Sequence, residues 1–263
     1  MSAFFIASLF SCLSVSAQTN NLSLQCQSRE FDQIVNITNV YDGDTVRTDT
    51  SEKIRLIGIN TPETGKKEYP AQPLANEAKN ALVALLAHSH NKVGLQFGKD
   101  KRDRYQRLLA HVFLPDGTNV QQYLLEQGLA AYIVVPPNTE KIGCYQNAER
   151  KARQQKKGMW SIPDYEYKNT NSLSATDAGF RFIEGNVIHV GQSKKAIWLN
   201  MEGKTALRIS KDNLVDFGPH FPEKIIGKRV QVRGWLHYNK KRKELFMHVR
   251  HPASMVIMEQ LKN

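Results

Sequence analysis

A chain of 263 residues with 41% hydrophobic and 23% charged side chains has ordinary globular composition. This excludes a disordered or fibrous protein and allows one or two domains with cores of their own. Thirty-six lysines and arginines against 25 acidic residues give a net charge of +11, which favours an anionic partner such as nucleic acid or a membrane surface. Three cysteines are too few for a disulfide scaffold, and no apolar run reaches the roughly 18 residues of a membrane-spanning helix.

The first 17 residues, MSAFFIASLFSCLSVSA, are uncharged, are mostly apolar from Ala3 to about Val15, and end in Val15-Ser16-Ala17. The pattern predicts a signal peptide over 1–17 and an exported mature chain, although the usual basic start is missing; a short buried helix is the alternative. Export leaves Cys26 and Cys144. An even pair suggests one disulfide, contributing about 4–5 kcal/mol on the chain-entropy model; two unrelated thiols are the alternative.

Strands are expected at Ile34–Val40, Thr45–Thr48 and Lys53–Ile59, with Asp42-Gly43-Asp44 turning between the first two. Ala71–Ala87 carries Leu74, Ala78, Ala81, Leu82, Leu85 and Leu86 near helical spacing and predicts an amphipathic helix. Strands follow at Val93–Phe97 and Leu108–Leu114, a helix at Val120–Gln127 stopped by Gly128, a short strand at Ala130–Val135, and a basic-faced helix at Glu140–Gln155 against which Trp160 packs. Five curling strands with interspersed helices predict a β-rich α+β fold, an OB-like five-stranded barrel with packed helices.

The polar stretch Asp164–Asp177 divides the chain. Residues 18–166 carry 19 basic and 17 acidic side chains, whereas residues 167–263 carry 17 and 8, so the basic excess sits in the C-terminal part. The expected organisation is a first domain over 18–166, a linker over 167–177 and a basic domain over 178–263. In the last of these, strands are expected at Phe180–His189, Lys195–Leu199, Ala206–Ile209, Arg229–Trp235, Glu244–Val249 and Met255–Met258, with a loop or short helix at Asn213–Phe217. The alternation predicts a second small β-barrel. Its Phe182, Trp198 and Trp235, beside the basic run Asn239–Lys243, suit a nucleic-acid strand held by phosphate attraction and base stacking; the alternative is core aromatics and a solvated hairpin.

Three segments carry chemistry: VYDGDTV at Val40–Val46, IRLIGINTPET at Ile54–Thr64, and DRYQRLLA at Asp103–Ala110. They supply hard oxygen ligands, a spare carboxylate and two arginines, the equipment for metal-assisted phosphodiester cleavage. Taken alone, Asp42-Gly43-Asp44 is a hairpin turn and Arg55 a surface charge. In combination, with QGLA at Gln127–Ala130 and MWS at Met159–Ser161, they resemble the staphylococcal (micrococcal) nuclease, or thermonuclease, family from about Val35 to Trp160.

The resemblance implies Ca2+ held by Asp44, by Asn60 where the family usually has aspartate, and by the Thr61 carbonyl, with Asp42 behind them. It implies Glu63 as the base that activates or positions water, Arg55 and Arg107 on the scissile phosphate, and Arg104 and Tyr105 on a flanking one. DNA and RNA as substrates, 3′-phosphate products, little sequence preference, no membrane association of the mature form and a monomeric state complete the expectation. The stretch AYIVVPP at Ala131–Pro137 keeps only Tyr132 where the family often carries tyrosines on the base. A nuclease-fold protein that binds nucleic acid without cutting it is the alternative, and Asn60 is the residue that speaks for it.

Overall fold

The computed structural model describes residues 26–65 and 70–258; the expected signal peptide lies outside the described residues. In the first domain the strands are β1 (Gln33–Val40), β2 (Thr45–Thr48), β3 (Lys53–Leu56), β4 (Ile59–Asn60), β5 (Lys92–Arg102), β6 (Leu108–Phe113) and β7 (Ala131–Tyr132). Helices α1 (Ala75–Ala87), α2 (Val120–Glu126) and α3 (Ile142–Gln154) accompany them. Five strands close into a barrel in the order β1-β2-β3-β6-β5, with β3 and β6 parallel and the other pairs antiparallel. Alternation sends Val35, Ile37, Ile54 and Leu56 inward onto Leu95 and Val112. α1 closes the barrel with Ala78, Leu82, Leu85 and Leu86, the apolar stripe seen in the sequence. Asn119 caps α2 by accepting from the Gln122 N–H at 2.7 Å.

The strand expected over Lys53–Ile59 stops at Leu56. Gly58 has φ +82°, a conformation that favours glycine, and it turns the chain so that Ile59 and Asn60 form a separate strand paired with Tyr132 and Ala131. This break aims Asn60 and Thr61 back toward the Asp42–Asp44 turn. Cys26 and Cys144 form the disulfide, with Cα atoms 5.7 Å apart, tying the segment before β1 to α3.

The second domain contains β8 (Lys168–Asn169), β9 (Gly179–Gln192), β10 (Ala196–Met201), β11 (Thr205–Ser210), β12 (Arg229–Asn239), β13 (Glu244–His248), β14 (Met255–Met258) and the short helix α4 (Phe221–Ile225). β12 pairs with β13 on one side and β9 on the other, so β9-β10-β11-β13-β12 is a closed ring flanked by β14 and β8. Both barrels share one connectivity: the third and fifth strands are the parallel pair, and a helix links the third to the fourth. That is the OB arrangement. The expected linker is bonded to the second barrel: β8 pairs with β9, Lys168 meets Asp177 at 2.8 Å, and Thr170 is buried. No helix among the described residues is long and apolar enough to cross a membrane.

The core of the first barrel holds His111, whose Nδ1 lies 2.7 Å from the Tyr145 hydroxyl. Burial, helped by the Lys141 charge, pushes its pKa down to about 3. Between that value and the unfolded value of 6.5 the unfolded chain binds a proton that the folded chain does not. Stability contributed by neutral His111 is therefore full above about pH 6.5 and falls on acidification by up to about 1.4 kcal/mol per pH unit. Asp42, discussed below, works in the opposite direction between about pH 4 and 6. The expected result is that His111→Gln loses less stability than the parent between pH 7 and pH 5 in urea unfolding; equal losses would remove His111 as the cause.

Candidate active site

The Asp42-Gly43-Asp44 turn is held from three sides. The Asp44 N–H donates to Asp42 Oδ1 at 2.9 Å, the Leu56 N–H donates to the Asp44 carbonyl at 2.9 Å, and the Thr61 N–H donates to Asp44 Oδ2 at 2.9 Å. Gly43 is required for packing: a Cβ there would stand 2.7 Å from Thr61 Cγ2 and 2.9 Å from Ala78 Cβ. Asp44 is only 5% exposed, Asn60 6% and Thr61 2%. A buried carboxylate needs a positive partner, and Arg55 supplies it. Its Nη2 lies 3.1 Å from Asp44 Oδ2 and 3.5 Å from Asn60 Oδ1, while Nη1 donates to the Leu56 carbonyl at 2.6 Å.

Two of the expected oxygen ligands thus converge on one guanidinium nitrogen, and the third, the Thr61 carbonyl, accepts from Asn60 Nδ2 at 3.4 Å. Asp42 is pushed up to about 6, first by burial and then by the charge of Asp44, with Glu63 adding to it. Such crowding of negative charge is what a cation relieves, and an all-oxygen donor set suits a hard divalent ion. Among the described residues no group of three or more His, Cys, Asp and Glu side chains surrounds a common point. An ion held here therefore rests on neutral Asn60 and Thr61 oxygens beside Asp44.

Glu63 is exposed, and its charge reaches Asp42. Gln72, which the sequence gave no reason to single out, fixes its backbone: the Glu63 N–H donates to Gln72 Oε1 at 2.9 Å and the Gln72 N–H to the Glu63 carbonyl at 3.0 Å. Arg55 stands opposite Leu109 in the parallel β3–β6 pair, so Arg107, two residues earlier, falls on the same side of the ribbon. Its Nε donates to Asp103 Oδ2 at 2.7 Å. Partial burial would raise Asp103, but bonds from Arg107 and the Tyr105 N–H outweigh it and hold the carboxyl below its usual range. Arg104 and Tyr105 form the tip of the β5–β6 turn; Tyr105 is 63% exposed, with the Arg104 and Arg107 guanidinium carbons 4.7 and 5.5 Å from its ring centre.

Sequence reasoning missed the junction of the two barrels. Glu149 on α3 is buried and accepts from Arg153 Nε at 2.7 Å, from the Tyr132 N–H at 2.8 Å, and from Arg233 Nη1 of the second barrel at 2.6 and 2.7 Å. Burial opposes the charge of Arg233, and Glu149 outweighs it, holding the guanidinium protonated. Phe182, expected to face nucleic acid, is instead buried between Arg153 and Arg233, 5.1 and 5.3 Å from their guanidinium carbons, with Trp160 and Tyr167 against its ring. Tyr132 is covered as well: Arg233 lies 3.9 Å over its ring and its hydroxyl donates to the Ala253 carbonyl at 2.7 Å. A cavity of about 150 Å³ runs from Asn60 and Thr61 to Lys168, Phe180 and Arg181, so the second barrel abuts the back of the expected ion site.

A five-stranded barrel that presents a buried aspartate, an exposed glutamate and two arginines on one edge defines a class, the phosphodiester hydrolases that work on nucleic acid. The family model described as "Staphylococcal nuclease homologue" matches residues 53–162, ending before the second barrel and beginning after the turn that carries Asp42 and Asp44. Endonuclease YncB of Bacillus subtilis is 36% identical over 56% of this chain and 72% of its own length. Thermonuclease of Staphylococcus hyicus is 35% identical over 51% and 79%. The SPbeta prophage-derived endonuclease YokF of Bacillus subtilis is 36% identical over 56% of this chain, which spans only 47% of YokF. The chain belongs to the staphylococcal nuclease family of metal-dependent nucleases, and it is an endonuclease that hydrolyses phosphodiester bonds.

Proposed function

We propose that this endonuclease is exported, depends on Ca2+, and as a monomer cleaves DNA and RNA with little sequence preference, leaving 3′-phosphate ends. The observation that carries the reading is the convergence of Asp44 Oδ2 and Asn60 Oδ1 on Arg55, with Thr61 bonded to Asp44. The disulfide supports export, since such bonds persist in oxidising compartments. Asp44, Asn60 and the Thr61 carbonyl hold the ion, with Asp42 behind Asp44. When bound, the ion supplies Lewis-acid polarisation of a phosphate oxygen.

Glu63 takes a proton from the attacking water. Arg55 and Arg107 hold the scissile phosphate and offset the charge that builds on its oxygens as the P–O5′ bond breaks; the 5′-oxygen leaves with the bonding pair and takes up a proton. Arg104 and Tyr105 hold a neighbouring phosphate. Phosphates carry no sequence information directly, so these contacts bring little base preference.

Hydrolysis of single-stranded DNA across a calcium titration, with EDTA and Glu63→Gln as controls, tests this. Cleavage that needs calcium and disappears in both controls is the expected result; DNA binding without cleavage at millimolar calcium would establish the binding-module alternative. Asn60→Asp adds an anionic ligand and is expected to lower the calcium midpoint about tenfold. An unchanged midpoint would exclude Asn60 from the ion site.

A further inference from the structure

The second barrel has an outward face that its own core does not use. Across β10, β11, β13 and β12 the outward positions carry Trp198, Arg208, Phe246, His248 and His237, placed side by side by the register: Trp198 opposite Arg208, Arg208 opposite His248, and Phe246 opposite His237. The rings form one connected patch. Phe246 lies 6.2 Å from Trp198, 5.2 Å from His237 and 5.5 Å from His248, and the Arg208 guanidinium carbon is 5.8 Å from Trp198. A turn rich in basic residues stands at each end: Lys194 and Lys195 between β9 and β10, and Lys240–Lys243 between β12 and β13, all exposed. Glu244 is the one carboxylate at the outward positions of β10, β11 and β13. An open cavity of about 580 Å³ continues the patch along Trp235, His237 and Lys240.

This face is continuous with the nuclease edge. His237 is held below its usual range by burial and by the charges of Arg250 and Arg104, which puts Arg104, at the tip of the β5–β6 turn, beside the patch. Resting on the nuclease reading above, the geometry points to an accessory subsite: the aromatic and basic face of the second barrel binds the single-stranded stretch of nucleic acid that runs past Arg104 from the cleavage site. Stacking platforms between basic turns suit a strand of any sequence, because every base has a π-face and every phosphate a charge. A protein partner gives no reason for basic turns at both ends, and the patch lacks the aliphatic residues that enter a lipid surface.

The test uses the full chain and oligothymidylates of 5 and 30 nucleotides. In EDTA, Trp198→Ala/Phe246→Ala is expected to weaken binding of the 30-mer at least tenfold by fluorescence anisotropy. In calcium, the ratio of KM for the 30-mer to KM for the 5-mer should rise at least tenfold in that variant. Lys240→Ser/Lys241→Ser, in an exposed turn that folding does not depend on, should flatten the salt dependence of 30-mer binding by about one unit of slope. Unchanged 30-mer affinity in both variants, or equal losses on both lengths, would overturn the subsite. A parent protein that binds the 30-mer through this face in EDTA yet cuts neither oligonucleotide would overturn the nuclease reading instead.

Discussion

Arg55→Lys is expected to lower the rate of DNA hydrolysis by about 10²–10³-fold, the loss typical of removing one preorganised donor from a developing negative charge. The substitution keeps a positive charge beside Asp44, so the buried carboxylate is not stranded and folding should survive. What disappears is the fork. Arg55 reaches Leu56, Asp44 and Asn60 at once and is thereby held in one orientation; an ammonium makes point contacts on a flexible stem. Glu63→Gln, which removes the base without changing size, is expected to cost about 10²–10⁴-fold. Steady-state kinetics with thermal melts of the same samples checks both. An Arg55→Lys enzyme with more than a tenth of the parent rate would show that the guanidinium serves the fold and not the phosphate.

Glu149→Ala should destabilise the protein by about 3–5 kcal/mol, the cost of breaking a buried ion pair from one side. The carboxylate serves two guanidinium groups and a backbone N–H, and Arg233 has no water to turn to. The cleaner comparison is the pair replacement Glu149→Leu/Arg233→Met, which leaves no charge unpaired and is expected to recover much of the loss. Urea unfolding of the two variants measures it; a Glu149→Ala loss below about 1 kcal/mol would mean that the barrels are held by the Phe182 cluster alone. The effect should also reach the ion site, because Tyr132 links Glu149 to β7 and Ala131 pairs with Asn60. For the same reason, deleting the second barrel outright confuses two roles: it removes the basic face and unseats Glu149, Tyr132 and Trp160 together.

The local chemistry of the site was legible because it lies in short runs. Asp42-Gly43-Asp44 needs only a turn, Arg55 only a strand, and the spacing from Arg55 to Glu63 brings the chain back to the turn once it bends. The bend itself was not legible: Lys53–Ile59 is as β-prone after Gly58 as before it, and only pairing with Ala131–Tyr132 shows that Ile59 and Asn60 belong elsewhere. The strands of the second barrel were readable from alternation. Which of its aromatics face solvent was not, since alternation separates inside from outside of one barrel and says nothing of a second barrel against it. Phe182 and Trp198 both sit on outward faces; α3 covers one and leaves the other half-open. By itself the sequence determined two β-barrels, their charge imbalance and the equipment for phosphodiester chemistry, because periodicity and turn residues act over a few positions. The tertiary structure alone decided that Glu149 clasps Arg233, that Tyr132 is covered and that a basic aromatic face continues past Arg104, because those contacts join residues far apart in the chain through the shapes of two folded surfaces.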